Sequence, residues 1–155
     1  MKNRPCFVFD TNALISALLL PDSISRQAFK LADETGRLLF SKETPLELSE
    51  VLLRPKFDKW VSAEDRLTFI EMIESRYECV NTISDFNNCR DVKDNKFLNL
   101  AFDAEASYII TGDKDLLELN PFKDISIFQR LISCKHLQKL EMITFLASPL
   151  PPIVQ

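Results

Sequence analysis

Short apolar runs alternate with amphipathic stretches along almost the whole chain. Cys6-Phe-Val-Phe9 is continuous, aromatic and β-branched, as expected of a strand buried on both faces. It stops at Asp10-Thr-Asn12, a group of cap-forming residues, and Ala13–Leu20 follows as a helix ended by Pro21. Ser25 is expected to cap a second helix with Ala28, Phe29, Leu31 and Ala32 on one face, closed by Gly36 at the position after its last turn. Leu38–Ser41 reads as the second strand. Thr44, Pro45 and Glu47 have the spacing of a helix start with a capping box, and that helix runs to about Leu53, before Pro55. Ala63–Arg76 is a further helix, with Leu67, Ile70, Met72 and Ile73 as its apolar contribution, and Glu78–Ile83 is a weaker strand.

After a polar stretch, Asp94 precedes a helix over Lys96–Phe102. Ser107–Thr111 is a strong buried strand, turned by Gly112-Asp113 into a short helix, Lys114–Leu119, which Asn120-Pro121 interrupts. Ile125–Phe128 predicts a last strand, Gln129–Leu146 a last helix, and the Pro-rich tail 148–155 a disordered end. Alternating strands and helices argue for an α/β sandwich around a parallel sheet, in one domain over 1–147.

Composition narrows the function. The 155 residues are 46% hydrophobic, with 12 Phe and only two Gly, which suits a packed core and excludes a P-loop or a dinucleotide fingerprint. The net charge is −4, so any nucleic acid must be held by a local patch or through bound cations. The four Cys (6, 79, 89 and 134) form neither a CxxC pair nor a zinc pattern and read as buried free thiols. The single His136 reads as an ordinary surface or packing residue, and no nucleophilic Ser/His/Asp set is visible. With no signal peptide and no run long enough to span a bilayer, a soluble cytoplasmic protein is expected.

Binding residues in an open parallel sheet collect just past the carboxyl ends of the strands. Asp10 follows the first strand and Asp113 follows Tyr108–Thr111, so both should meet at one sheet edge. Glu47 lies one turn into the helix after the second strand, and Asp94 opens the helix leading to the strand before Asp113. Capping alone would account for Asp94, Asp113 and Glu47. Asp10 is harder to explain that way, because an ionised carboxylate ending an apolar strand is costly without a partner. Gathered carboxylates repel each other unless they protonate or bind metal, and an all-oxygen set selects a hard cation such as Mg²⁺ or Mn²⁺.

Four segments, in this order, resemble the PIN-domain ribonuclease family, and in particular its toxin components of toxin–antitoxin systems. They are Phe7-Val-Phe-Asp10-Thr-Asn12; the Glu47 helix leading into Val51-Leu-Leu-Arg-Pro-Lys-Phe57; Arg90-Asp-Val-Lys-Asp94-Asn-Lys-Phe-Leu98; and Ile110-Thr-Gly-Asp113-Lys-Asp-Leu-Leu117. The resemblance spans about Phe7 to Phe128. It implies a three-layer α/β/α fold with sheet order 3-2-1-4-5 and Mg²⁺- or Mn²⁺-dependent endoribonuclease activity. Carried over, Asp10, Asp94 and Asp113 would ligate metal, with Asp91 competing with Asp94, and Glu47 would complete the acidic site. Asn12 and Thr111 would orient ligands, and Asp115 would help a second ion. RNA, a cognate antitoxin and a second copy of the chain are the implied partners, with no membrane. After the last strand, Phe128-Gln-Arg-Leu-Ile-Ser-Cys-Lys-His136 departs from the family pattern by lacking its small Ser/Thr-Pro turn.

RNA phosphates need cations beside the acids. Arg54, Lys56, Lys96 and Lys114 are the main candidates, with Lys42, Lys59 and Lys93 nearby. Trp60 reads first as a partly buried packing residue and second as a base-stacking surface. Two rivals stand beside the nuclease. One is a non-catalytic nucleic-acid- or protein-binding domain on the same fold. The other is a phosphatase or receiver-like domain with a nucleophilic Asp10, which lacks the companion motifs those classes need.

Overall fold

The computed structural model describes residues 4–129. The strands are β1 (Cys6–Phe9), β2 (Arg37–Phe40), β3 (Glu78–Cys79), β4 (Tyr108–Thr111) and β5 (Ser126–Gln129). The helices are α1 (Thr11–Leu19), α2 (Ile24–Thr35), α3 (Glu43–Leu52), α4 (Ala63–Arg76), α5 (Asn95–Asp103) and α6 (Lys114–Leu117). The strands form one parallel sheet in the order β3-β2-β1-β4-β5, as the resemblance implied. The expected last helix, the Pro-rich tail, His136 and Cys134 lie outside the described residues.

The continuous apolar runs follow from burial on both faces. Strand side chains alternate between faces, so Phe7, Phe9, Leu38, Phe40 and Ile110 pack into one layer with α1, α2, α3 and α4. Val8, Leu39, Ile109 and Ile127 face the other layer with α5 and α6. Both layers are apolar, so the strands carry no polar alternation.

Several local expectations are corrected. Ser23, not Ser25, caps α2, accepting from the Arg26 amide at 3.1 Å, while Ser25 is buried. Gly36 is extended (φ −146°), so no left-handed cap requires it. It is needed because a Cβ there would stand 2.3 Å from the Pro5 carbonyl oxygen and 2.4 Å from the Phe7 ring, where β1 and β2 come together. In α4, Leu67 is exposed, and the partly buried Phe69 packs against the core instead. β3 is only two residues long, so most of the expected strand Glu78–Ile83 is not paired. Cys89 is buried as expected, Cys6 is partly so, and Cys79 on the edge strand is exposed.

Candidate metal centre

The carboxyl ends of β1 and β4 are adjacent, with Phe9 paired to Ile110 and the Asp10 amide donating to the Ile110 carbonyl at 3.1 Å. Asp10 is buried and caps α1, its Oδ1 accepting from the Ala13 amide at 2.8 Å. Its Oδ2 accepts from the buried Thr111 hydroxyl, which in turn accepts from the Asp113 amide at 2.9 Å. Asp113 caps α6 through the Asp115 amide at 2.7 Å. One hydroxyl therefore ties the acids of two neighbouring strands together.

The third and fourth acids arrive from the segment between β3 and α5. Asp91, Asp94 and Asp113 each offer a carboxylate oxygen, and these oxygens lie within 4.8 Å of one another. The resemblance left Asp91 and Asp94 as competitors, but both belong to the cluster. Asp94 does not hold its direction by capping, because its backbone is helical and its side chain makes no cap bond. Asp91 does cap, accepting from the Lys93 amide at 3.2 Å to start a 3₁₀ turn over Val92–Asp94.

The segment before Asp91 is pinned by one face of α5, which the sequence reading passed over. Asn95 accepts from the Cys89 amide at 2.8 Å, Asn99 from the Phe86 amide at 2.7 Å, and Asp103 from the Ile83 and Ser84 amides at 2.7 and 2.9 Å. Residues spaced four apart share a helix face. The pattern Asn95-x₃-Asn99-x₃-Asp103 was the available signal for a polar strap that satisfies an irregular segment's donors.

Electrostatics mark the cluster as strained without a cation. The Asp94 carboxyl is pushed up to about 7, by burial first, then by its hydrogen bond with Asp113 and the charges of Asp113, Asp91 and Asp10. Asp113 is held below the usual carboxylate range, mainly by the hydrogen bond from Asp94. The two share a proton, as paired carboxylates do. The donor set fits a hard divalent ion. Two oxygens at about 2.1 Å from Mg²⁺ are at most about 4.2 Å apart, so oxygens within 4.8 Å of one another would draw together on a bound ion. A cation held by these acids would compete with the Asp94 proton, so its affinity should rise with pH up to about 7 and level off above it. Calorimetric titration with Mn²⁺ between pH 5.5 and 8 is expected to show about a tenfold loss per pH unit on the acid side.

The remaining predicted site residues fall around the cluster. Glu47 makes no capping box, because α3 begins at Glu43 and Thr44 is already inside it. Its carboxylate instead accepts from the Thr11 hydroxyl and is ion-paired with Lys96. Lys96 is thereby largely covered, with 19% of its side chain exposed, and is not an open phosphate contact. Asp115 faces Arg90 at 4.0 Å. Asn12 is exposed on the first turn of α1, and Lys114 is exposed at the start of α6. Arg54 and Lys56 lie farther round, on the exposed turn after α3.

A strand-end acidic cluster on a 3-2-1-4-5 parallel sheet accords with what sequence comparison finds. The chain belongs to the PIN-domain family, whose sequence model matches residues 6–115. It is 39% identical over 114 residues to an uncharacterised protein of Methanocaldococcus jannaschii, covering 72% of this chain and 73% of that one. The fold is also similar to a chain in the crystal structure of VapBC2 from Rickettsia felis bound to a DNA fragment from their promoter. That likeness has a TM-score of 0.52 and 12% identity over 80% of this chain and 98% of that one. Among the described residues, no helix is long and apolar enough to cross a membrane.

Proposed function

We propose that this chain is a metal-dependent endoribonuclease and the toxin of a toxin–antitoxin pair. The observation that carries the reading is the meeting of Asp91, Asp94 and Asp113 at the sheet edge, with carboxylate oxygens within 4.8 Å of one another. Asp91, Asp94 and Asp113 would hold Mg²⁺ or Mn²⁺, with Asp10 close enough for its charge to act on Asp94. A bound cation of this kind polarises a phosphoryl oxygen and activates water for attack on a phosphodiester.

The chain's own residues supply order and protonic control. The Thr111 hydroxyl keeps Asp10 and the Asp113 backbone in fixed relation. Asp94 carries the proton that loading must release. Lys96 and Thr11 hold Glu47 beside the site, where its carboxylate would help to orient water. Asn12, exposed at the head of α1, is available to the same water or substrate. Family membership supports RNA as the substrate. The likeness to a chain of VapBC2 supports an antitoxin as a partner, and a two-copy assembly is proposed from the family resemblance alone.

The test is RNA incubated with the protein in Mn²⁺, in Mg²⁺ and in EDTA. Internal cleavage is expected with either metal and none with chelator. Equal cleavage in EDTA would sink the metal-dependent reading. One observation favours a non-catalytic binding domain instead, namely that Glu47 is already taken by Lys96. Absence of any Mn²⁺ binding heat at pH 8 would decide for that alternative.

A further inference from the structure

A second feature lies along α1 from the acids. The turn after α3 carries Arg54, Lys56, Lys59 and Trp60, all exposed. Its single acid, Asp58, is ion-paired with Arg66, a fully buried side chain of α4. Arg66 also donates to the carbonyls of Leu52 (2.5 Å) and Arg54 (3.1 Å), so the turn is held at both ends. Arg54, Lys56 and Lys59 are left without an ion pair among the described residues, a local charge of +3 on a chain whose net charge is −4.

Trp60 was expected to pack, yet it is 58% exposed. It lines a groove of about 370 Å³ with Ile15, Leu19 and Leu20 of the α1 side and with Lys56 and Lys59. Lys59 sits 5.8 Å from the Trp60 ring centre and Lys56 5.0 Å from that of Phe57. A flat aromatic face beside cations that have no carboxylate partner is the composition that single-stranded nucleic acid uses, with bases stacking and phosphates paired. Asp10 caps one end of α1 and the groove flanks the other, and nine residues of helix span about 13 Å. A stacked strand rises about 3.4 Å per nucleotide, so about four nucleotides connect the two places.

We propose that Trp60, Lys56 and Lys59 form a subsite for single-stranded RNA, with an unpaired base on the indole, about four nucleotides from the scissile phosphate. This rests on RNA being the substrate, as proposed above. The charge of the turn favours a polyanion over an apolar peptide, because Arg66 has removed its one negative charge.

The experiment uses the full chain in EDTA, so that binding is read apart from cleavage, with oligouridylate as the probe. Trp60 is the only Trp in the chain, so its emission reports this surface alone. Quenching on titration is expected, with Trp60→Ala weakening binding of a labelled oligouridylate by between about 5-fold and 100-fold. Trp60→Phe should lie between that variant and wild type, and thermal melts of both should match wild type. Lys56→Gln with Lys59→Gln should lower the slope of log affinity against log salt by about 1.4. No quenching, or wild-type affinity in Trp60→Ala, overturns the subsite even if RNA is cleaved in Mn²⁺. Quenching by an acidic amphipathic peptide and not by RNA overturns it in favour of a protein partner. Quenching by RNA with no cleavage in Mn²⁺ supports the subsite and counts against the nuclease reading alone.

Discussion

On the function proposed above, Asp113→Asn is expected to leave a folded protein that neither binds the metal nor cleaves RNA. The substitution keeps the side-chain size and the oxygen that accepts the Asp115 amide, so the cap of α6 survives. It removes the one cluster charge that both hydrogen-bonds Asp94 and acts on it through space. Mutating residues that merely orient metal ligands costs 10–100-fold, so losing a ligand should weaken Mn²⁺ binding by more than about 100-fold. A bound cation contributes several kcal/mol of charge stabilisation at the phosphoryl group, so cleavage should fall by about a thousandfold. In EDTA the variant should melt close to wild type, because relief of the repulsion on Asp94 and loss of the hydrogen bond that Asp94 gives Asp113 oppose each other. Calorimetry with Mn²⁺, RNA gels and a melting curve read the three effects. Mn²⁺ affinity within about threefold of wild type would mean that the metal, if any, is held elsewhere. Asp10→Asn serves as the companion. It disturbs the Thr111 hydroxyl that links the two strand-end acids, so it too should lower affinity.

Arg66→Ala is expected to be the most damaging single change to stability. The side chain is fully buried and serves the carbonyls of Ser62, Leu52 and Arg54 as well as Asp58. Removing it empties a large buried volume and leaves carbonyls at the end of α3 without their donor. Truncating one member of a buried, hydrogen-bonded charge group costs about 3–5 kcal/mol. For a chain of this size that is a fall in Tm of roughly 10 °C. Asp58→Asn should cost less, about 1–2 kcal/mol, because Asp58 itself is 64% exposed and the amide oxygen still accepts from Arg66, although the buried guanidinium loses its counter-charge. Arg66→Lys should fall nearer to Ala than to wild type, because an ammonium cannot reproduce the planar fork. A melt of Arg66→Ala within about 1 kcal/mol of wild type would show that the turn finds its donors elsewhere.

Legibility in the sequence differed from residue to residue, for physical reasons. Asp10 and Asp113 could be read because each ends a run too apolar to be anything but a strand, and parallel neighbours bring such ends together. In the sequence Asp94 ranks above Asp91 as a helix cap, a ground that fails because Asp94 makes no cap bond and both acids belong to an irregular segment held by Asn95, Asn99 and Asp103 on another element. Glu47 was legible as an acid near the site but misread as a cap partner. The spacing from Thr44 is right, but the helix starts earlier and Lys96, 49 residues away in the chain, takes the carboxylate. Arg66 and Trp60 went against their types, with the cation buried and the large aromatic exposed.

The sequence by itself determined the alternation of strands and helices, the burial of the sheet on both faces, and the presence of acids at the ends of β1 and β4. Those features are set by periodicity and by the cost of ending an apolar strand on a charge, both of which act over a few residues. Only the tertiary structure decided that Asp91 and Asp94 both join Asp113, that Lys96 holds Glu47, and that Arg66 frees a cationic turn beside Trp60. Each of these depends on which groups meet after packing, where burial and neighbouring charge, not local pattern, set the energy.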